Sequence, residues 1–108
     1  MNQDLVFATI RDDGSVTIEV IGTLGLACAL ELRHQFERLA DRGLGSVEVD
    51  FRQAECVTSV GISTLAQMWE RSTSASVPIR FVNVSANLRR LFQVSGVLEI
   101  FLGAEPPA

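Results

Sequence analysis

Residues Val47 to Trp69 constrain the fold of this chain more than any other stretch. Val47-Glu48-Val49-Asp50-Phe51 alternates apolar and polar side chains, the signature of a strand with one buried face. Cys56-Val57-Thr58-Ser59-Val60-Gly61 follows after a short loop. Then Ile62, Leu65, Ala66 and Trp69 recur at helical spacing. The reading is strand, loop, helix, with small hydroxyl residues and a glycine at the helix entrance. A helix N-terminus carries unpaired backbone N–H groups and the positive end of the helix dipole. A hydroxyl there can cap the helix, and a phosphoryl group on it places negative charge where charge is best tolerated. Ser59 is therefore the residue to explain.

The rest of the chain repeats the alternation. Leu5 to Arg11 and Val16 to Ile21 flank the turn signal Asp12-Asp13-Gly14-Ser15 and predict a β-hairpin, with Val16, Ile18 and Val20 on one face. Gly22 and Gly25 mark a loop. Leu26, Ala29, Leu30, Phe36, Leu39 and Ala40 predict a helix from Leu26 to Arg42, closed by Gly43. A second helix is expected from about Val60 to Ser74, with Ser72 to Ser76 a small-residue loop. Ile79 to Val84 reads as a strand. Ser85 reads as the N-cap of a third helix carrying Leu88, Leu91 and Phe92, which Gly96 ends. Val97 to Leu102 reads as a last strand, and 103–108 as a tail. The order ββαβαβαβ implies an α/β fold: a mixed sheet with parallel crossovers and helices packed on one face. One domain, 1–108 with a core of about 5–102, accounts for the 108 residues.

Composition narrows the function. Nine basic against thirteen acidic residues give a net charge of -4, and Arg89-Arg90 is the one adjacent basic pair. That argues against binding nucleic acid through its phosphates and reads the pair as a solvated helix face. No apolar run reaches membrane-spanning length and no secretory signal is evident, so a cytoplasmic protein is expected. Cys28 and Cys56 lie in apolar stretches; two buried free thiols are the simplest reading and a disulfide is the alternative. His34 is the single histidine, with no thiol at ligand spacing, so neither a metal nor any other cofactor is expected. No nucleophile–base pair and no phosphate-cradling glycine loop point to an enzyme. Asp50, at a strand end, either accepts from N–H groups of the neighbouring loop or is solvated. Ser59 by residue type alone is a helix cap; Thr58 is a second candidate for that cap, or a second phospho-acceptor. Gly61 fits close packing at the helix start.

Three motifs carry a family resemblance. Val49-Asp50-Phe51 leads to Thr58-Ser59-Val60-Gly61, Gly22-Thr23-Leu24-Gly25 precedes the first helix, and Val84-Ser85-Ala86-Asn87-Leu88-Arg89-Arg90-Leu91-Phe92-Gln93-Val94-Ser95-Gly96-Val97 closes the pattern. In order and at these separations they resemble the STAS domain, specifically the bacterial anti-sigma factor antagonists, from about Phe7 to Phe101. That family has Asp-Ser-Ser/Thr-Gly at the first place and Gly-Glu-Leu-Asp at the second. The resemblance implies a partner switch. The unmodified domain binds an anti-sigma factor that is also a serine kinase; phosphorylation of the position occupied here by Ser59 ends the complex, and a phosphatase can reset it. The partner-binding positions implied are Thr58, Ser59, Val60, Gly61, Thr23 and Gly25.

The departures are specific. Thr58 replaces an Asp, Val60 a hydroxyl, Thr23 a Glu and Gly25 an acidic residue. Two carboxylates that usually flank the phospho-site are missing, which leaves the local potential less negative. Some STAS domains lack the regulatory pattern and serve as constitutive subunits beside the ATPase of lipid-transport ABC systems, and others are scaffold subunits of stress-sensing complexes. Those are the alternative functions. The family's final helix is expected to be absent, which would leave a face or edge open for a partner or a homodimer.

Overall fold

The computed structural model describes residues 4–42 and 45–97. In chain order it forms β1 (Leu5–Ile10), β2 (Ser15–Leu24), α1 (Leu26–Asp41), β3 (Ser46–Asp50), β4 (Ala54–Val57), α2 (Ser59–Ala75), β5 (Ile79–Val82) and α3 (Ala86–Val94). Strand β2 is the spine. Val16, Ile18, Val20 and Leu24 alternate along it and are all buried, because side chains two apart share one face of a strand.

The sheet runs β1-β2-β3-β5, with β4 beside the second half of β2. β1 is antiparallel to β2, and every other pairing is parallel. Each parallel step needs a crossover, and α1 and α2 supply two of them. Helical residues Leu32, Phe36, Leu65, Met68, Leu88 and Phe92 join Val47, Val49, Ile79 and Phe81 of the sheet in one buried cluster. The helices therefore pack on one face. Thr17, Glu19 and Glu48 on the opposite face are half-buried, and Arg80 is exposed. Phe51 anchors α3 through an edge-on contact with Phe92, centroids 6.1 Å apart, and meets Phe81 in the same way at 5.9 Å.

The structure corrects several sequence expectations. The segment before Thr58 is not all loop. Ala54–Val57 forms β4, paired in parallel with Gly22–Leu24, so the described order is ββαββαβα. Its one buried side chain is Val57, which is why no alternating pattern announced it. Helix α2 runs to Ala75, through the hydroxyl-rich segment expected to be a loop. There Ser72 and Thr73 donate to the Trp69 carbonyl at 2.7 and 3.2 Å, and Ser74 donates to Arg71 O at 3.1 Å. The hydroxyls back-bond along the helix and do not break it. Ser76 ends the helix in the left-handed region at φ 58°. Cys28 is buried as expected, but Cys56 on β4 is exposed, and both are free thiols. Gly43, most of the expected last strand and the tail lie outside the described residues; Val97 itself is not in a strand.

Candidate functional site

The site lies where β2 and β4 end side by side. Leu24 pairs with Val57, so Gly25 and Thr58 are the next residues of two adjacent strands, and each opens a helix. Both helices return against the parallel strands, and their positive ends emerge together. Near their other ends Arg71 of α2 bridges Glu37 at 3.0 Å and Asp41 at 3.3 Å on α1, which holds the two helices in this parallel alignment.

Thr58 is the N-cap of α2. Its Oγ1 accepts from Gly61 N at 3.2 Å and donates to Leu24 O at 3.1 Å, while its own N–H donates to that same carbonyl at 3.1 Å. One side chain thus satisfies an orphan helix donor and ties the helix start to the end of β2. Gly61 completes the lock. A Cβ at this position would collide with the Leu24 carbonyl and lie 2.9 Å from Val57 Cγ1, so only glycine lets α2 start this close to β2.

Ser59 is therefore not the cap. It is the first residue of α2, exposed, and among the described residues its hydroxyl makes no hydrogen bond. Val60 is 44% exposed beside it. Across the gap, Thr23 Cγ2 and Thr58 Cγ2 each lie 3.9 Å from where a Cβ on Gly25 would sit. The structure thus brings Thr23, Gly25 and Thr58 together, with Ser59 and Val60 on the rim and Gly61 buried beneath. Neither helix has an acidic residue in its first turn, so no carboxylate there opposes a negative charge.

Three further features were missed from sequence. Leu26 and Leu30 sit on the first two turns of α1 and were assigned to its apolar stripe, yet they are 63% and 60% exposed. The buried stripe is Cys28, Ala29, Leu32, Phe36, Leu39 and Ala40. Leu26 and Leu30, four apart, form a helical pair of their own, so periodicity alone did not set them off from that stripe. Asp4 is the third feature: its Oδ1 accepts from Thr23 N at 3.0 Å and packs against Gly22, whose φ is +82° at an irregularity of the β2–β4 pairing. Asp50 resolves its open alternatives toward the loop: Oδ1 accepts from Arg52 N at 2.8 Å and from Asn83 Nδ2 at 3.0 Å. Burial pushes the Cys28 thiol above its ordinary pKa, with Asp4 and Glu31 adding to the shift. No three or more His, Cys, Asp or Glu side chains gather as a metal site among the described residues. No helix among them is long and apolar enough to cross a membrane.

The mixed sheet with its helices on one face agrees with what known proteins show for this chain. The family described as "Mlab, STAS domain" matches residues 7–103, and the chain belongs to the STAS domain family. Among solved structures it is similar to the unphosphorylated anti-sigma factor antagonist SpoIIAA, at TM-score 0.70 and 16% identity over 82% of this chain and 81% of that one. The phosphorylated form of SpoIIAA, a Bacillus cell fate determinant, superposes at TM-score 0.72 and 17% identity over 90% and 87%. A putative anti-sigma factor antagonist from Thermotoga maritima reaches TM-score 0.78 at 14% identity over 90% and 83%. At these identities the likeness is one of fold. Among curated proteins, none matches this chain.

Proposed function

We propose that this chain is a regulatory binding domain, an anti-sigma factor antagonist whose docking is switched by phosphorylation of Ser59. The observation that carries this reading is the exposed, unbonded Ser59 hydroxyl at the locked entrance of α2. A serine kinase needs a reachable hydroxyl, and Thr58 has taken over the capping duty that would otherwise occupy it. The partner is an anti-sigma factor serine kinase. It docks on Thr58, Ser59, Val60 and Gly61 of the α2 entrance and on Thr23 and Gly25 beside it, and exposed Leu26 and Leu30 supply apolar area at the edge.

The chemistry belongs to the partner. The γ-phosphoryl group of ATP moves to Ser59 Oγ as its bond to the β–γ bridging oxygen breaks, ADP leaves, and the hydroxyl proton passes to the partner's base. The product carries about 1.5 to 2 negative charges at neutral pH. In the free domain that charge faces two helix N-termini and is stabilised by about 0.3–1 kcal/mol. In a close interface it is desolvated and unpaired, so the complex separates. A phosphatase restores the docking form. These partners place the protein in the cytoplasm.

A second reading is favoured by the Mlab description of the matching family and by Thr58, Val60 and Gly25 in place of the regulatory motif residues. In it the chain is a constitutive subunit beside the ATPase of a lipid-transport ABC system, and Ser59 is never modified. Incubation with the cognate anti-sigma kinase and Mg-ATP, read by intact mass and peptide mapping, separates the two. One added phosphoryl group on Ser59, lost in Ser59→Ala, supports the switch. An unmodified chain that co-purifies with an ABC ATPase supports the second reading.

A further inference from the structure

The outer edge of β1 is the second feature of the molecule that asks for a partner. In the β1–β2 ladder the Arg11 N–H donates to Ser15 O at 2.8 Å, so Leu5, Phe7, Thr9 and Arg11 turn their backbone groups toward β2. The N–H and C=O groups of Val6, Ala8 and Ile10 therefore point away from the sheet, and among the described strands none pairs with them. Edge strands are ordinarily blunted by charge, proline or a bulge. Leu5-Val6-Phe7-Ala8-Thr9-Ile10 has no charge and no proline, keeps unbroken register with β2, and leaves Phe7 and Ile10 each 55% exposed.

We infer that a second copy of this chain occupies this edge, β1 against β1 in antiparallel pairing about a two-fold axis through Ala8. This inference is independent of the function proposed above. Symmetry favours that register. Residues on the same face must oppose one another, and pairing Val6 with the partner's Ile10 engages all three outward-pointing residues of each copy.

The helix above the edge is self-complementary under the same axis. α1 returns opposite to β2 and so runs alongside β1. A groove of about 350 Å³ separates the two, and α1 lines it in the order Glu31, Gln35, Arg38, with the C-cap Arg42 beyond. The two-fold reverses this order on the partner, so the Glu31 end of one stripe runs against the Arg38 end of the other. Neither Glu31 nor Arg38 has an ion-pair partner among the described residues. Gln35 lies near the middle of the stripe. Its Oε1 is buried with no hydrogen-bond partner, while Nε2 donates to Glu31 at 2.9 Å. The dimer is one continuous sheet, and its two α2 entrances emerge at opposite ends, both open.

Sedimentation velocity on the full chain tests this. The wild type should sediment at twice the 11.8 kDa chain mass. Ile10→Lys, at an exposed side chain, and Ala8→Pro, which removes an outward N–H without touching the β2 ladder, should each lose the dimer and keep the native circular dichroism. If Ala8→Pro fails to fold, Ile10→Lys decides. Glu31→Arg should weaken self-association about tenfold, and adding Arg38→Glu should restore it. A monomeric wild type, a dimer that survives Ile10→Lys, or a charge-reversed pair that does not recover would each overturn the inference.

Discussion

The two helix entrances at the end of β2 and β4 are neighbours with opposite construction. α2 opens on Thr58, which accepts from Gly61 N and binds Leu24 O twice, through its hydroxyl and its amide. α1 opens on Gly25, extended at φ -101° with no side-chain cap. The capped entrance presents one small hydroxyl, Ser59, in a fixed position. The uncapped one presents two exposed leucines. Under the proposed switch a single oxygen has to be recognised, which needs precision, whereas apolar contact tolerates looser geometry.

The largest test of this contrast is Gly61→Ala. The new methyl group has to displace the Leu24 carbonyl or Val57, and the start of α2 is expected to lose about 2 kcal/mol in urea unfolding. An unchanged midpoint would mean that the lock is not tight. The cysteines come next, since each entrance has one nearby. Exposed Cys56 should react with a thiol reagent at least about tenfold faster than buried Cys28, equivalent to about 1.4 kcal/mol. Because the Cys28 pKa is raised, its thiolate, and hence its reactivity, should appear only at higher pH than for an ordinary thiol. Equal rates would place both thiols in one environment.

Thr58→Val keeps the shape and removes the cap, so a loss of about 1 kcal/mol is expected in the same unfolding assay. The smallest effect has the opposite sign. Gly25→Asp gives α1 the cap it lacks, at a site where the added Cβ meets only methyl groups at 3.9 Å, and should stabilise the chain by about 0.3 kcal/mol. A loss instead would show that Gly25 serves close approach and not only the absence of a cap. Far from both entrances, the turn at Asp13 provides a pH control. Ser15 donates to its carboxylate through Oγ and N, which lowers the Asp13 pKa. That contribution is present above the ordinary value of 3.8 and fades as pH falls through the lowered one. Asp13→Asn should therefore flatten the acid limb of the stability curve without altering the entrances.

Much of this was legible in the residues. Val16, Ile18 and Val20, then Val47, Val49 and Phe51, declared their buried faces by strict alternation, and Ser85 announced α3 as its N-cap, accepting from Leu88 N at 3.2 Å. The motif around Ser59 was visible as a hydroxyl-rich helix start. What escaped depends on tertiary context. β4 exists because the end of β2 offers it a ladder, not because Ala-Glu-Cys-Val alternates. The choice between Thr58 and Ser59 as cap turned on the position of Leu24 O, which lies 34 residues away in sequence. Leu26 and Leu30 fit a helical period as well as the true stripe does, and only the direction of the sheet separates them.

The most direct test of the central claim is a titration of the proposed anti-sigma kinase partner with Ser59→Ala and with Ser59→Asp. The neutral variant should bind as the wild type does. The charged one, equally folded, should lose about a hundredfold in affinity, near 2.7 kcal/mol. Equal affinity of the two variants would contradict the account, because charge at the α2 entrance would then not control docking.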